Sequence, residues 1–318
     1  GKDASFNQLL QNRGLPVPSV EINPKEDVAV LQYTGGTTGL SKGAMLTHYN
    51  LVANTLQSEA TSKIKTKYGK ERTLTISPLF HVYGMTSCML LNFYIGGNLI
   101  LVPKFEPELV VNSIEKTKPT MFAGVPTMYI ALLDYYKEKR FDLSVLETCV
   151  SGSAPLPVEV INKFNEVSGT KVAEGYGLSE ASPVTHRNPI VGLQKPGSIG
   201  IPIPNTDAKI VDKDTGTKEL PIGEIGELIV KGPQVMKGYW NNPEETRKTI
   251  RDGWLYTGDL AKMDEDGFFY IVGRKKELII ASGYNVYPIE VEDVIYTHPA
   301  VLEAAVIGVP DSYRGETV

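Results

Sequence analysis

The most informative segment of the chain is Tyr33-Thr34-Gly35-Gly36-Thr37-Thr38-Gly39-Leu40-Ser41-Lys42-Gly43. It follows a short apolar run, Val28–Leu31, which predicts a buried strand. Small residues let backbone N–H groups approach phosphate oxygens, the threonine hydroxyls add donors, and Lys42 adds positive charge. The glycine spacing differs from the Walker pattern, and no Ser or Thr follows the lysine. The segment therefore predicts a phosphate-binding loop, and the alternative is a mobile surface loop.

Beyond this loop, short apolar runs alternate with helical patterns. Thr47 is predicted to cap a helix that ends near Ser62, and Glu108–Lys116 and Pro126–Lys137 are predicted helices. The predicted strands between and after them are Leu74–Ile76, Asn98–Val102, Met121–Ala123, Thr148–Val150 and Lys171–Ala173. This alternation predicts an α/β fold with a mostly parallel sheet and flanking helices. Ligands are then expected beyond the carboxyl ends of the strands.

The pattern changes near residue 195. Short predicted strands at Asp207–Val211, Glu227–Val230 and Phe268–Val272 are separated by turn sequences, which favours a small antiparallel β-barrel. Asn242 and Pro243 open a helix within it. A further helix is expected near Pro288, followed by a strand over Leu302–Val309. We therefore predict a connecting segment (1–24), an α/β subdomain (25–194), a β-barrel-like subdomain (195–273), and the beginning of a further α+β subdomain (274–318); the resemblance described below implies that the second of these binds nucleotide and acyl group and that the last begins with a hinge.

Composition excludes several classes of protein. Hydrophobic residues make up 42% of the 318 residues and the formal charge is −5, which is typical of a globular protein and argues against one that coats nucleic acid. Cys88 and Cys149 are too few for a disulfide framework and are expected to be small buried residues in a reducing compartment. The apolar stretch Cys88–Val102 is too short to span a bilayer. The basic run from Lys63 to Arg72 is expected to be a solvated face, with contact to an anionic partner or membrane surface as the alternative.

Two further segments carry ligand-binding chemistry. In Glu174-Gly175-Tyr176-Gly177-Leu178-Ser179-Glu180 the glycines allow a ligand to lie against the backbone. Tyr176 can stack on a planar base, and Glu180 is a hard oxygen ligand suited to Mg²⁺; the alternative for this glutamate is a helix cap. In Tyr256-Thr257-Gly258-Asp259 the aspartate can accept both hydroxyls of a ribose, or can be an ordinary turn residue.

Two other features are more ambiguous. Gly273-Arg274-Lys275-Lys276-Glu277 can hold phosphate or ribose, or can be a solvated linker. His81 is an imidazole among apolar neighbours, where a histidine is usually a satisfied core residue.

The glycine-rich loop, Tyr-Gly-Leu-Ser-Glu, Tyr-Thr-Gly-Asp and Gly-Arg-Lys-Lys-Glu occur in this order over residues 27–318. Together they resemble the acyl-adenylate-forming (AMP-binding) superfamily, which includes acyl-CoA synthetases and adenylation domains. Within it, the chain is most similar to prokaryotic long-chain or medium-chain fatty acid–CoA ligases, with 4-coumarate–CoA ligases as near cousins. The resemblance implies that a carboxylate and Mg·ATP give an acyl adenylate and pyrophosphate, and that the coenzyme A thiol then displaces AMP.

The resemblance also implies residue roles. Lys42, Thr34, His81, Glu180 and Arg274 take part in the reaction, and Glu180 is the Mg²⁺ ligand. The ATP- and AMP-binding positions are Thr34, Gly35, Gly36, Thr37, Thr38, Lys42, Ser153, Ala154, Glu174, Gly175, Tyr176, Ser179, Asp259 and Arg274. The acyl pocket is formed by His81, Tyr83, Ser87, Gly177, Pro183 and Val184. Lys104, Ser282 and Gly283 fall near the CoA site, and Lys276 falls on the hinge of the C-terminal subdomain.

The sequence departs from the family pattern at both ends. The family's N-terminal α/β portion and its catalytic C-terminal lysine fall outside these residues, so we expect a central fragment that is impaired on its own. Three alternatives stay open: an aryl, coumarate-like ligase, an adenylation domain that charges a carrier protein, and a non-enzymatic piece that only binds ATP or AMP. The expected partners are a fatty acid, ATP and CoA, with no nucleic acid. Cytoplasmic location, peripheral membrane contact and a homodimer are further expectations.

Overall fold

A computed structural model describes residues 19–34, 41–282, 284–296, 298, 300–301, 304–311 and 314–318. Its first element is an antiparallel hairpin of β1 (Val28–Thr34) and β2 (Lys42–Thr47). The prediction that β1 is a buried strand was wrong: Val28 and Leu31 are 36% and 39% exposed. In the described part of the chain β1 pairs with β2 and lies outside the main sheet.

The main sheet contains seven strands. They are β3 (Arg72–Thr75), β4 (Asn98–Leu101), β5 (Met121–Gly124), β6 (Thr148–Ser151), β7 (Val172–Gly177), β8 (Val184–Arg187) and β9 (Ile201–Pro202). Their order is β4-β3-β5-β6-β7-β8-β9. The pairs from β4 to β7 are parallel, and β8 and β9 join antiparallel. The predicted parallel sheet is thus confirmed for five strands and is extended by two antiparallel ones.

Helices flank the sheet, and three of them were predicted from the sequence: His48–Ser62, Pro107–Thr117 and Pro126–Glu138. The helices at Leu91–Ile95 and Val158–Ser168 were not predicted. In chain order the helices are α1 (His48–Ser62), α2 (Leu91–Ile95, after a π-helical stretch Tyr83–Leu90), α3 (Pro107–Thr117), α4 (Pro126–Glu138) and α5 (Val158–Ser168). Thr47 caps α1 as predicted, in a reciprocal capping box with Asn50. Prolines occupy the first turn of α3 and α4, where the missing N–H has no intrahelical partner anyway.

The largest core cluster packs α3, α4 and α5 against the sheet. Phe122, Tyr129 and Phe164 lie at its centre, with ring centroids 5.1 Å and 4.9 Å apart in the two successive pairs. The two cysteines are buried and free, as expected. None of the helices in the described residues is long and apolar enough to cross a membrane.

A second, antiparallel sheet follows. Its strands are β10 (Asp207–Val211), β11 (Gly226–Lys231), β12 (Ile250–Arg251), β13 (Trp254–Met263) and β14 (Phe269–Arg274). They pair in the order β10-β11-β13-β12, and β14 also pairs with β13. The antiparallel pairing agrees with the prediction, and β13 is the central strand, since it pairs with β11, β12 and β14. Helix α6 (Pro243–Thr249) begins after Asn242, whose side chain accepts a hydrogen bond from the Glu245 N–H at 3.1 Å.

The final elements form a four-stranded antiparallel sheet and one helix. They are β15 (Ile279–Ala281), β16 (Tyr284–Val286), α7 (Pro288–Tyr296), β17 (Val309–Asp311) and β18 (Gly315–Thr317), with the strand order β16-β15-β18-β17. The helix begins at Pro288 as predicted. The predicted strand Leu302–Val309 was misplaced, since the observed strand begins at Val309 and the described residues 304–308 lie outside any strand.

Gly200 joins the two sheets, and we expect Gly200→Ala to lower the free energy of unfolding by about 3 kcal/mol. Its φ is +87°, and an added Cβ would lie 2.0 Å from the carbonyl carbon of Arg187. Gly223→Ala is the matched control, because Gly223 has a φ of +85° and open space around it. The control should cost only about 1 kcal/mol of left-handed strain. Urea unfolding measures both, and equal losses would contradict the backbone clash.

Candidate functional site

The loops at the carboxyl ends of the parallel strands bring together several predicted site residues. Ser153 and Ala154 are exposed directly after β6, and Ser153 has a left-handed φ of +73°. Gly175, Tyr176 and Gly177 form the end of β7. Glu180 and Ser179 lie in the short 3₁₀ turn Ser179–Ala181 that follows. These residues therefore occupy the sheet edge at which α/β proteins bind ligands.

Lys42 lies at the start of β2, opposite Thr34 in the hairpin register. The Thr34 hydroxyl donates to the Lys42 carbonyl oxygen at 3.5 Å. The loop between them carries four predicted phosphate-binding residues that lie outside the described residues: Gly35, Gly36, Thr37 and Thr38. The pairing of β1 with β2 therefore holds Thr34 and Lys42, which flank the loop, next to each other.

The Lys42 cluster is formed by Lys42, Tyr239, Glu180 and Glu245. The Lys42 ammonium forms an ion pair with Glu245 and lies 5.4 Å from the centroid of the Tyr239 ring. The Tyr239 hydroxyl donates to Glu180 Oε1 at 2.8 Å. Tyr239 therefore links the predicted phosphate-binding lysine to the predicted metal ligand.

Backbone pairing holds Tyr239 in this position. The Met45 N–H donates to the Gly238 carbonyl oxygen at 2.8 Å, and the Trp240 N–H donates to the Gly43 carbonyl oxygen at 2.8 Å. Burial, and then the negative charge of Glu180, raises the pKa of Tyr239 well above its ordinary value. The phenol thus stays protonated and remains a hydrogen-bond donor to Glu180.

Sequence reasoning missed Tyr239 and Glu245. The only available signal was the helix start at Asn242 and Pro243, which placed an acidic first turn in α6. That pattern predicts a helix and says nothing about Lys42, which is 203 residues away along the chain.

The Asp259 cluster, formed by Asp259, Tyr176 and Arg274, joins the two large sheets. The Tyr176 hydroxyl donates to Asp259 Oδ2 at 2.5 Å, and Arg274 Nε lies 3.5 Å from Asp259 Oδ1. Asp259 and Arg274 are register partners in β13 and β14. The side chain of Asp259 is 9% exposed. Burial raises the pKa of this carboxyl, and the Tyr176 hydrogen bond and Arg274 oppose that shift.

A second buried carboxylate supports the Asp259 cluster. Glu227 Oε1 accepts a hydrogen bond from the Gly258 N–H at 3.2 Å. Its Oε2 forms an ion pair with the Lys275 ammonium at 2.9 Å. Lys275 and Lys276 form the 3₁₀ turn that follows Arg274 directly. Lys276, the predicted hinge residue, is exposed at this junction between the second and third sheets.

Glu174, a predicted nucleotide-binding residue at the end of β7, also connects two loops. Its carboxylate accepts from the Gly197 N–H at 2.8 Å and from the Leu156 N–H at 3.4 Å. These two hydrogen bonds fix the loops that contain Gly197 and Leu156. Burial raises the pKa of Glu174 to about 7, against the effect of the two amide hydrogen bonds.

This shifted pKa predicts a pH-dependent stability. Below the ordinary pKa of 4.5, the protonated Glu174 contributes its full stabilisation to the free energy of unfolding. This stabilisation is lost as the pH rises through about 7, because the folded state holds a proton that the unfolded chain releases. Between pH 4.5 and about 7, the free energy of unfolding of the wild type should fall by up to about 3 kcal/mol relative to that of Glu174→Gln. Urea unfolding of both proteins across this range measures the difference. His186, whose pKa burial lowers to about 3, titrates in both and cancels; parallel pH profiles would contradict the assignment.

The predicted acyl-pocket residues fall into two groups. Tyr83 and Ser87 are buried in the π-helical stretch, and the Tyr83 hydroxyl donates to the carbonyl oxygens of Gly124 and Val150 at 3.3 Å each. His81 is exposed just before them, and its Nδ1 accepts from the Tyr83 N–H at 3.2 Å. Partial burial lowers the pKa of His81.

The second group lies between β7 and β8. Gly177 is required there, because an added Cβ would lie 2.2 Å from the Pro183 carbonyl oxygen. The Val184 N–H, next to Pro183, donates to Asn54 Oδ1 of α1 at 3.0 Å.

The predicted CoA residues come from separate elements. Lys104 is exposed after β4 and forms an ion pair with Glu106. Ser282 lies in the turn between β15 and β16, where its N–H donates to the Arg314 carbonyl oxygen at 2.8 Å. Gly283 lies outside the described residues.

No group of three or more His, Cys, Asp or Glu side chains in the described ranges could hold a metal ion by itself. Glu180 and Glu245 are the carboxylates of the Lys42 cluster. Mg²⁺ usually binds through one or two carboxylates together with substrate phosphates and water. The donor set therefore fits a magnesium ion that arrives with a nucleotide.

Two family models and several known proteins match this chain. The family model for AMP-binding enzymes matches residues 2–240, and the model for the AMP-binding enzyme C-terminal domain matches residues 290–318. A long-chain-fatty-acid–CoA ligase of Bacillus subtilis (strain 168) is 58% identical over 298 residues, which cover 94% of this chain and 53% of that protein. A probable 4-coumarate–CoA ligase 1 of Dictyostelium discoideum is 41% identical over 98% of this chain and 57% of its own length.

A solved structure has the same fold. The crystal structure of ATP-bound MatB from Rhodopseudomonas palustris has a TM-score of 0.87 and 38% identity, and the match covers 95% of this chain and 58% of that one. The chain spans about half the length of the curated relatives it matches.

Proposed function

The chain belongs to the AMP-binding enzyme family, and from that membership we propose that its protein is an AMP-forming acid–CoA ligase. The reaction would join a carboxylate to ATP with release of pyrophosphate, and would then transfer the acyl group to the thiol of coenzyme A. For the acid we propose a medium- or long-chain fatty acid, because the fatty acid–CoA ligase of B. subtilis is 58% identical to this chain.

One observation carries the proposal: the Lys42 and Asp259 clusters are joined by one short segment at the carboxyl edge of the main sheet. The Lys42 cluster offers a cation and a carboxylate, which suit a triphosphate and its magnesium. The Asp259 cluster offers a carboxylate and Arg274, which suit a ribose diol and the adjacent phosphate. Tyr176 and Glu180 belong to these two clusters and are only four residues apart, on β7 and the turn after it. That short segment sets the separation between the clusters.

The chemistry follows from the charges. Attack of a carboxylate on the α-phosphate brings two anions together, so cationic groups that are already in place lower the barrier. Lys42 would leave Glu245 and pair with phosphate oxygens, and Glu180 would hold Mg²⁺ with the Tyr239 hydrogen bond fixing its orientation. When bound, Mg²⁺ would supply charge neutralisation at the phosphates. Arg274 and Asp259 would hold the nucleotide so that its α-phosphate faces the acyl carboxylate beside His81.

The remaining assignments are also proposals. Lys276 would be the hinge that turns the C-terminal part between the two half-reactions, and Lys104, Ser282 and Gly283 would contact CoA. The buried free cysteines support a cytoplasmic, reducing location. An aryl acid is the second substrate candidate, supported by the 41% identity to the probable 4-coumarate–CoA ligase.

Carboxylate-dependent exchange of pyrophosphate into ATP tests the proposal, with protein expressed from its complete coding sequence. A panel of acids from acetate to oleate, with aryl acids such as coumarate, should give exchange that is strongest for the fatty acids. Addition of CoA should then yield the thioester and AMP. Absence of exchange with every acid would refute the ligase, and exchange with aryl acids alone would replace the fatty acid by the second candidate.

A further inference from the structure

Strand β13 contains a bulge at the aspartate that we propose binds the ribose. The register of β11 with β13 shifts between Glu227 and Ile229, so that one residue of β11, Leu228, lies opposite three residues of β13, 257–259. A bulge changes the direction of the side chains that it contains. Here the Asp259 side chain reaches the main sheet, where its carboxylate accepts a hydrogen bond. The conformation of the bulge therefore sets the position of this carboxylate.

Hydrogen bonds hold the bulge in shape. The Thr257 hydroxyl donates to the Leu228 carbonyl oxygen at 2.7 Å, and the Asp259 N–H donates to Thr257 Oγ1 at 3.1 Å. Gly258 between them has a left-handed φ of +75°, and its N–H donates to Glu227 Oε1 at 3.2 Å. Glu227 thus supports, from the neighbouring strand, the peptide that directly precedes Asp259.

The other oxygen of the same carboxylate contacts a different segment. Glu227 Oε2 lies 2.9 Å from the Lys275 ammonium, in the 3₁₀ turn that follows β14. Lys275 directly follows Arg274, the register partner of Asp259. The next residue is Lys276, the proposed hinge. One carboxylate therefore contacts both the ribose-binding bulge and the turn at which the C-terminal part begins.

The two members of this ion pair differ in burial. The side chain of Glu227 is 6% exposed, and that of Lys275 is 42% exposed. A buried carboxylate is costly unless its charge is paired and hydrogen-bonded. If the turn moved away, Lys275 would become hydrated, while Glu227 would stay in the sheet and lose its cation. The carboxylate therefore disfavours every orientation of the turn that separates it from Lys275.

We infer that Glu227 is a positioning residue that fixes Asp259 for the ribose and couples this placement, through Lys275, to the orientation of the turn. The inference rests on the proposed ligase function, in which Asp259 accepts the ribose hydroxyls and Lys276 is the hinge. Glu227 acts through the Gly258 backbone and does not touch the nucleotide. Because coupling between two sites is reciprocal, a nucleotide bound at Asp259 should hold the turn, and release of the turn should weaken the nucleotide.

Discrimination between ATP and 2′-deoxy-ATP tests the placement of Asp259. We measure kcat/KM for each nucleotide in acid-dependent pyrophosphate exchange with the complete protein, and the wild type should favour ATP. Glu227→Ala should lower this preference by about tenfold, as expected for loss of a hydrogen bond to a charged group. Glu227→Gln should keep the preference, because its amide oxygen still accepts from the Gly258 N–H. A general loss of stability would lower both rates alike and leave their ratio unchanged.

Trypsin cleavage tests the contact with the turn. Residues 274–276 are basic and exposed, so they are cleaved when the turn opens. Glu227→Gln keeps all three and removes the charge that pairs with Lys275, so cleavage there should be about tenfold faster. Saturating ATP should slow cleavage more in the wild type than in this variant. Glu219→Gln is the matched control, because Glu219 pairs with Lys209 and is 65% exposed; it should be cleaved at the wild-type rate.

Two results would overturn the inference. One is an ATP preference that Glu227→Ala leaves unchanged, and the other is a cleavage rate that Glu227→Gln leaves unchanged. If Glu227→Ala does not fold, Glu227→Asp gives the same comparison, because it keeps the charge and draws the carboxylate back from the Gly258 N–H by one methylene. Lys275→Arg keeps the ion pair and should retain the wild-type preference for ATP.

Equilibrium binding of ATP and 2′-deoxy-ATP without an acid separates this inference from the proposed function. If no acid supports exchange, but Glu227→Ala lowers the preference for ATP in binding and Glu227→Gln speeds cleavage, the ligase is refuted and the role of Glu227 stands. Exchange whose preference for ATP is independent of Glu227 gives the reverse result. A wild type that exchanges pyrophosphate equally well with both nucleotides overturns the inference and leaves the ligase standing.

Discussion

Replacement of Lys42 by methionine is expected to lower acid-dependent pyrophosphate exchange by about 100- to 1,000-fold, the usual cost of losing one preorganised charge-stabilising group. Lys42 is 23% exposed and is held between Glu245 and the Tyr239 ring. Its ammonium can therefore reach phosphate oxygens without a search over many rotamers. The loss should appear mainly in kcat, because the charge on the phosphates grows in the transition state.

Two variants show whether this loss is specific. Lys248→Met removes a lysine from nearby helix α6 that is 62% exposed and pairs only with Glu244 in the described contacts, so it should leave exchange unchanged. Glu245→Gln removes the carboxylate that competes with phosphate for Lys42, and should lower the KM for ATP. Full exchange activity in Lys42→Met would refute the assigned role, and a raised KM in Glu245→Gln would show that Glu245 supports the nucleotide instead.

Replacement of Glu180 by glutamine should lower exchange by a similar factor and raise the magnesium concentration needed for half-maximal rate. The amide oxygen can still accept the hydrogen bond that Tyr239 donates at 2.8 Å, so the turn should keep its shape. What is lost is the negative charge, and a neutral amide is a weaker ligand for Mg²⁺ than a carboxylate. A magnesium titration of both proteins at saturating ATP measures the shift.

Tyr239→Phe is the control for this second prediction. It removes the hydrogen bond and keeps the carboxylate, so the magnesium requirement should change far less than in Glu180→Gln. If Glu180→Gln turned over at the wild-type rate with an unchanged magnesium requirement, Glu180 would be a structural turn residue, which is the alternative that its sequence position also allows.

The sequence predicted elements best where local chemistry determines them. Thr47 and Asn242 cap the helices that follow them, and most strand centres fall within the observed strands. It failed for β1, because an apolar run of four residues has no feature that distinguishes a central strand from a hairpin strand. The strand expected at Leu302–Val309 was displaced for a similar reason: residues of high strand propensity do not specify which of them will pair.

The candidate site shows a different limit. The motif containing Asp259 was identified, but its hydrogen bond from Tyr176 spans 83 residues. Tyr239 had no sequence signal, and it lies beside Lys42 because backbone hydrogen bonds join Gly238 and Trp240 to β2. Motifs therefore predicted the residues that would face a ligand, and tertiary contacts were needed to identify the residues that contact them.

The long sequence separations within the clusters determine when the site can form during synthesis. Lys42 emerges from the ribosome 203 residues before its partner Glu245, and Asp259 acquires Arg274 only after that. Closing so long a loop is slow compared with local helix formation, because chain entropy is lost before the contact is gained. A nascent chain that ends before α6 thus holds a formed hairpin and an exposed, unpaired lysine. The capacity to retain ATP should accordingly appear late and abruptly during translation, after the second sheet has folded.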